Sequence, residues 1–305
     1  MSRLLFAPGV RGFIVVEVQN ALRAAGADPG ASDGVYGHDT IAAVRKFQTA
    51  QSLDPTGLID DDTWRSLTNE DIPPLEQRAL QLTATFEGHG FGIAAGNWDG
   101  AWLTWGIIGF TMKYGKVQAI LKQVDAAAPQ RIDDAFGANA GQLRGILNAS
   151  AKQQQAWANS ITVGRSLAEP WRTGFAILGT FPEVQQAQLA LVHSDYFLPA
   201  LQTAVRFQLS SELGQALCFD IHVQNGGISA AAAADIQAAT TAPGDEHALR
   251  VVIANAVADN AKAAFREDVR SRKLTIANGA GSVHGGNFVL SQWGLLDIAA
   301  AAIGG

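Results

Sequence analysis

Thr83-Ala84-Thr85-Phe86-Glu87-Gly88 and, further on, Asp99-Gly100-Ala101-Trp102-Leu103-Thr104-Trp105-Gly106-Ile107-Ile108-Gly109-Phe110-Thr111 are the stretches on which this 305-residue chain turns. Leu75, Ala79, Leu82 and Phe86 recur at helical spacing, so a helix is expected over residues 75–86, with Glu87 at its end and Gly88 to stop it. Residues 88–110 are rich in Gly and aromatics with β-prone stretches, and read as loops around a small sheet. Two carboxylates therefore stand 12 residues apart on unlike supports. Glycoside hydrolysis needs such a pair, one carboxylic acid to protonate the leaving oxygen and a second carboxylate across the sugar. Glu87, beside Phe86, sits where partial desolvation favours the protonated acid, whereas Asp99 lies in a Gly/Trp-rich loop open to water.

Working outward, residues 10–67 read as a compact helical unit. Val15, Val18, Leu22 and Ala25 form a stripe that stops at Gly26, and Ile41, Val44 and Phe47 share a face of a second helix over 40–50. Asp60-Asp61-Asp62 supplies a cap and an acidic first turn for a short third helix with Trp64 and Leu67. Pro73-Pro74 then favours an extended link, and a domain boundary is placed there. The rest alternates helical runs with Gly/Pro breaks, Ala230–Ala239 being a strong helix former, and no internal repeat is evident.

Composition narrows the function. Apolar residues make up 48% and charged residues 16%, enough for a packed core. The net charge of −6 argues against nucleic acid as a partner. Cys218 is alone, so no internal disulfide is expected, and its apolar setting marks a core residue. The N-terminus lacks the features of a signal peptide and no run is long enough to span a membrane, so delivery to the periplasm or cell wall is expected to need a holin or a secretion machine. The histidines do not cluster and no H-E-x-x-H occurs, so no metal or cofactor is expected. The chain is expected to act as a monomer.

Val18-Gln19-Asn20-Ala21-Leu22, Asp33-Gly34-Val35-Tyr36-Gly37, Thr40, Ala43-Val44, Phe47-Gln48, Thr56-Gly57-Leu58-Ile59-Asp60 and Thr63-Trp64 together resemble the peptidoglycan-binding domain type 1 family. The resemblance implies a three-helix bundle that holds bacterial peptidoglycan and does no chemistry. Gln19 and Gln48, polar beside apolar stripes, are placed to hydrogen-bond loop backbone.

The blocks around Glu87 and Asp99, with Pro182-Glu183-Val184-Gln185-Gln186-Ala187-Gln188, Tyr196–Ala200 and Phe219-Asp220-Ile221-His222-Val223-Gln224-Asn225-Gly226, resemble the family 46 chitosanases of the lysozyme-like superfamily. That resemblance implies Glu87 as general acid, Asp99 as general base, and Thr104 as the hydroxyl that helps hold the attacking water. It implies inversion, with the carboxyl groups about 6.5–9.5 Å apart. The Glu87–Asp99 separation is shorter than the family's, implying a shorter loop on that cleft wall. Asp220 matches a buried aspartate that pairs with arginine behind the glutamate; Arg266 and Arg272 keep the family's spacing, and Arg266 is the expected partner. Trp98, Trp102 and Trp105 flank Asp99, and one or two of them are expected to line the cleft; Asn225 is a further candidate contact. Lys116 stands where the family places an aspartate that binds a sugar ammonium, and a cation there disfavours cationic chitosan.

The expected fold is mainly α (α+β): a three-helix wall-binding domain at 1–70, a Pro-containing linker at 71–76, and a lysozyme-like, two-lobed and mostly helical glycosidase domain with a small sheet at 77–305. The expected activity is hydrolysis of peptidoglycan glycan strands, muramidase-type. A chitosanase with a wall-binding module, a lytic transglycosylase and an inactive wall-binding protein remain open alternatives.

Overall fold

A computed structural model describes residues 3–88, 90–239 and 244–301. The chain forms two compact units, Met1–Phe86 with Tyr196–Gly305, and Glu87–Asp195. It is mainly helical, with small antiparallel sheets of two or three strands among the described residues.

The first unit opens with strand Leu4–Phe6, which pairs antiparallel with Ile59–Asp60. Three helices follow, Phe13–Ala24, His38–Ala50 and Asp61–Thr68. The second starts two residues earlier than expected. Ile14, Val15, Val18, Leu22, Val44, Phe47 and Trp64 form the buried side of this bundle, while Ala25 lies exposed beyond the end of its helix. Asp60 caps the third helix by accepting from Thr63 N at 2.8 Å.

Two buried glutamines hold the connecting loops, and they do so in the same way. The Gln19 carbonyl oxygen accepts from Gly34 N at 2.9 Å, and its amide donates to Val35 O and Thr40 Oγ1, each at 3.1 Å. The Gln48 oxygen accepts from Gly57 N at 2.9 Å, and its amide donates to Leu58 O at 2.8 Å and Thr63 Oγ1 at 3.1 Å. Both glycines take positive φ, 73° and 75°, where a side chain would be strained. The segments 33–40 and 56–63 are thus a structural repeat. Sequence reading missed it because only a Gly, an Asp and a Thr recur at matching positions and each glutamine lies at a different separation from its loop.

This bundle is bolted to the rest of its unit. Gln81, on helix Leu75–Glu87, accepts from Ile14 N at 2.7 Å and so caps the first helix. Arg78 on the same helix makes an ion pair with Glu212 at 2.9 Å, and Arg3 meets the same carboxylate at 2.6 Å. Arg78 also donates to Pro73 O at 2.9 Å, and Trp64 Nε1 donates to Asp71 O at 2.9 Å, so the segment around the prolines is pinned on both sides. Burial pushes the Glu212 carboxyl up, but Arg78 and Arg3 outweigh it and hold it below its ordinary range.

The unit's centre is helix Glu212–Asn225, buried along Leu213–Ile221 except at Gln215, and apolar over that stretch apart from Gln215 and Asp220. Around it lie helices Leu198–Arg206, Ala230–Ala238, Glu246–Asp259 and Arg266–Asn278, and a hairpin of Ala280–Val283 with Gly286–Val289. Cys218 is fully buried, and burial pushes its thiol up to about 12, which suits a packing residue.

Among its described residues the second unit packs α-helices Lys116–Ala127, Gln130–Phe136, Ala140–Leu147, Ala151–Ser160, Trp171–Leu178 and Pro182–Val192, with a three-stranded sheet of Ala94–Ala95, Thr104–Trp105 and Phe110–Thr111. Its core is aromatic: Trp105 and Phe136 each contact Phe175, and Trp157 meets Trp171 edge-on at 5.0 Å.

Replacing Glu212 by Ala would leave Arg78, 4% exposed, as an unpaired buried cation. A loss of about 3–5 kcal/mol is expected, measured by urea denaturation; a change below about 1 kcal/mol would show that the cluster adds little.

Candidate active site

Glu87 ends its helix, and the preceding turns are fixed by a buried charge cluster. Asp220 is 0% exposed and accepts from Arg272 Nη2 at 2.7 Å and Nε at 2.9 Å, from Lys273 Nζ at 2.5 Å, and from Thr83 Oγ1 at 3.0 Å. Arg272 in turn lies over the Phe86 ring, 5.2 Å from its centroid. Phe86 also packs edge-on against Phe288 at 4.9 Å. Thr83 and Phe86, one turn before Glu87 and next to it, are therefore both held by the cluster, and the half-buried Glu87 continues from them.

The partner of Asp220 differs from the one expected. Arg266 is exposed at the first turn of helix Arg266–Asn278, whereas Arg272 and Lys273 face inward from its middle. Spacing alone could not decide which arginine turns inward. The adjacent Arg272-Lys273 pair was the available signal for a buried carboxylate partner.

Asp99 is exposed on the loop that joins the first two strands of the second unit's sheet. Its Oδ1 accepts from Ala101 N at 3.0 Å, a local turn that shapes the tip. The base of the loop is anchored by Asn97. Asn97 Oδ1 accepts from Trp102 N at 2.8 Å, its Nδ2 donates to Asn159 Oδ1 at 2.6 Å, and its backbone N donates to Thr162 Oγ1 at 2.9 Å. Gly96 N donates to Arg165 O at 3.0 Å, and a Cβ on Gly96 would come within 2.7 Å of Ser166 O and of the Thr162 side chain. Asn97 was not singled out from sequence, because an Asn beside a Gly reads only as a loop former.

Thr104 lies on the sheet's central strand, paired with Ala95 and Thr111, and is half-buried. The turn after it is locked by Gln188, which accepts from Ile107 N and donates to Phe91 O, both at 2.9 Å. Gly106, at φ 92°, packs against the same amide, and a Cβ there would sit 2.5 Å from Gln188 Oε1. Within this unit Asp99 and Thr104 are thus carried by one sheet-and-loop element, braced from Asn97 on one side and Gln188 on the other.

The tryptophans divide. Trp98 is 53% exposed, and Trp102 is half-buried with φ 69°. Trp105 is 0% exposed and packs on Phe175, so it serves the core and offers no face to a sugar. Lys116 begins helix Lys116–Ala127 and is paired with Asp195, whose carboxyl is pushed up by burial but held below its ordinary range by Lys116 and Ser194. The expected bare cation is a neutralised pair, and it no longer weighs against a cationic substrate. Asn225 ends helix Glu212–Asn225 in the other unit, and its side-chain oxygen is buried without a partner. Among the described residues no group of His, Cys, Asp and Glu side chains is arranged to hold a metal ion, and no helix is long and apolar enough to cross a membrane.

Residues 11–67 match the peptidoglycan binding domain family, and residues 83–250 match glycosyl hydrolase family 46. Among solved structures, a Gynuella sunshinyii family 46 chitosanase in complex with chitotetraose is similar, at 18% identity and TM-score 0.50, over 72% of this chain and 99% of that one. Native chitosanase from Bacillus subtilis is similar at 19% identity and TM-score 0.51, over 70% and 97% of the two chains. The mainly helical, lysozyme-like fold and the matched family define a glycan-cleaving glycoside hydrolase. The match at 83–250 covers more than half of the 305 residues, and the chain belongs to glycosyl hydrolase family 46.

The cluster behind Glu87 sets an acid limit on stability. Burial works to raise the Asp220 carboxyl, but Arg272 and Lys273 hold it down at about 2. A carboxyl depressed in the folded state contributes stability that is complete above the ordinary carboxylate range, near pH 4, and is lost as pH falls through about 2. Thermal unfolding from pH 7 to 2 should show this loss below pH 4. Asp220→Asn should cost about 3–5 kcal/mol at neutral pH and flatten the acid limb; a variant with wild-type stability would remove the cluster from this role.

Proposed function

We propose that the chain cuts the glycan strand of bacterial peptidoglycan by an inverting, muramidase-type hydrolysis. Glu87 gives its proton to the glycosidic oxygen, Asp99 takes a proton from water, and the Thr104 hydroxyl helps to hold that water. A carboxyl at the end of an apolar helix and an exposed carboxylate on a braced loop are the two unlike environments that such a division of labour needs. The observation that carries the choice of polymer is the peptidoglycan binding domain match at 11–67, in a bundle fastened through Ile14 and Gln81 to the helix that ends in Glu87.

A chitosanase reading is favoured by one specific observation. Lys116 is neutralised by Asp195, so it does not repel a glucosamine chain. Incubation with peptidoglycan and with chitosan, followed by mass spectrometry of the released ends, separates the readings. Reducing muramic-acid ends are expected; glucosamine oligomers alone would favour chitosanase, and anhydro-muramic ends would mean a lytic transglycosylase. Glu87→Gln should lower turnover about a hundredfold or more while binding to sedimented cell walls persists. Full activity in that variant would reject Glu87 as the acid.

A further inference from the structure

The Asp99 loop is fastened to a neighbouring hairpin, and that hairpin carries an unused cation. Strands Thr162–Val163 and Ser166–Leu167 are joined by Gly164-Arg165, with Gly164 at φ 60°. The hairpin and the loop meet at Gly96 N to Arg165 O and at Asn97 N to Thr162 Oγ1. Beyond these backbone anchors, the Arg165 guanidinium lies over the Trp98 ring, 4.6 Å from its centroid. Trp98 nevertheless keeps 53% of its surface exposed, and Arg165 is itself exposed.

The other arginines of this unit, and Lys116, are spent on carboxylates. Lys116 is paired with Asp195, Arg131 with Glu183, Arg144 with Asp125 and Asp133, and Arg172 with Glu169. Arg165 has no carboxylate partner among the described residues; its neighbour is the π face of Trp98. A guanidinium stacked on an indole keeps its N–H donors in the ring plane free to point outward. The platform therefore offers an aromatic surface and a fork of donors together, one residue from Asp99. An aromatic face suits a sugar ring, and a guanidinium fork suits a carboxylate.

We infer that Arg165 and Trp98 form a subsite for a sugar that carries an anionic substituent, with the ring against Trp98 and the carboxylate on Arg165. This deepens the peptidoglycan reading and rests on it, since the lactyl and stem-peptide groups of that polymer supply carboxylates whereas glucosamine supplies cations. The selectivity enters through Arg165 rather than Lys116, because only the former is unpaired. The same stack tethers Trp98 next to Asp99, so a substrate seated there is positioned against the loop that bears the base.

The test compares kcat/KM on a soluble muramoyl-peptide glycan oligomer and on the same oligomer with its carboxyls methyl-esterified. In the wild type the anionic form should be favoured, and the preference should fade between low and high salt. Arg165→Ala should reduce the anionic-to-esterified ratio about three- to fivefold, and Arg165→Lys should recover part of it. An unchanged ratio in Arg165→Ala, or an equal fall on both substrates, would overturn the subsite, the latter marking a purely structural stack. Should the wild type cut only chitosan oligomers, the peptidoglycan reading fails by itself. Arg165 is then judged by Arg165→Glu, which should raise kcat/KM on glucosamine oligomers relative to N-acetylated ones. No such rise would dismiss the subsite as well.

Discussion

The encounter of one carboxylate with two cations inside the first unit governs what surrounds it. Asp220 is fully buried, and so are Arg272 and Lys273. Removing three charges from water is costly, and mutual attraction compensates only when every lone pair and proton finds a partner. That demand is met by Thr83 on the helix of Glu87 and by the Phe86 ring under Arg272. It is also met at the far side, where Lys273 donates to Gln224 Oε1 at 2.7 Å and Gln224 donates to Asp268 at 2.8 Å. Helices Leu75–Glu87, Glu212–Asn225 and Arg266–Asn278 are consequently locked at side-chain precision where apolar packing alone would tolerate slippage. The proposed acid inherits its position from this electrostatic constraint.

Asp99 is positioned by a different physics. It stays in water, and its loop owes its shape to neutral hydrogen bonds from Asn97 and to glycines at places where a Cβ would collide. The residue before it, Trp98, has the Arg165 guanidinium over its ring. One carboxylate thus rests on a dry ionic foundation and the other on a wet, neutral scaffold.

Much of this was legible in the order of residues. The apolar stripe Leu75, Ala79, Leu82 and Phe86 announced the helix of Glu87, and the Asp-Gly-x-x-x-Thr block announced the strand and loop of Thr104 and Asp99. The helices of the bundle followed from their apolar stripes, and the loop bonds of Gln19 and Gln48 from polar residues set beside those stripes. What escaped were facts of three-dimensional choice. Periodicity places Arg266 and Arg272 on a helix but does not say which faces a partner 52 residues away in the chain. Trp98 and Trp105 look alike in sequence, yet one is mostly in water and the other is core. Lys116 announced a charge, but its neutralisation by Asp195 depends on a contact spanning 79 residues. The likeness of segments 33–40 and 56–63 lies in hydrogen-bond geometry, which composition does not record.

Helix Leu75–Glu87 receives Ile14 N on Gln81 and ends in Glu87, six residues and about 9 Å of helix rise apart. Modular enzymes commonly hang a binding domain on a flexible tether, which lets a bound catalyst sweep a volume around its grip. A shared helix denies that freedom. Within the first unit the bundle and the helix through Phe86 therefore move as one body, and whatever the bundle holds is held without a hinge at residues 71–76.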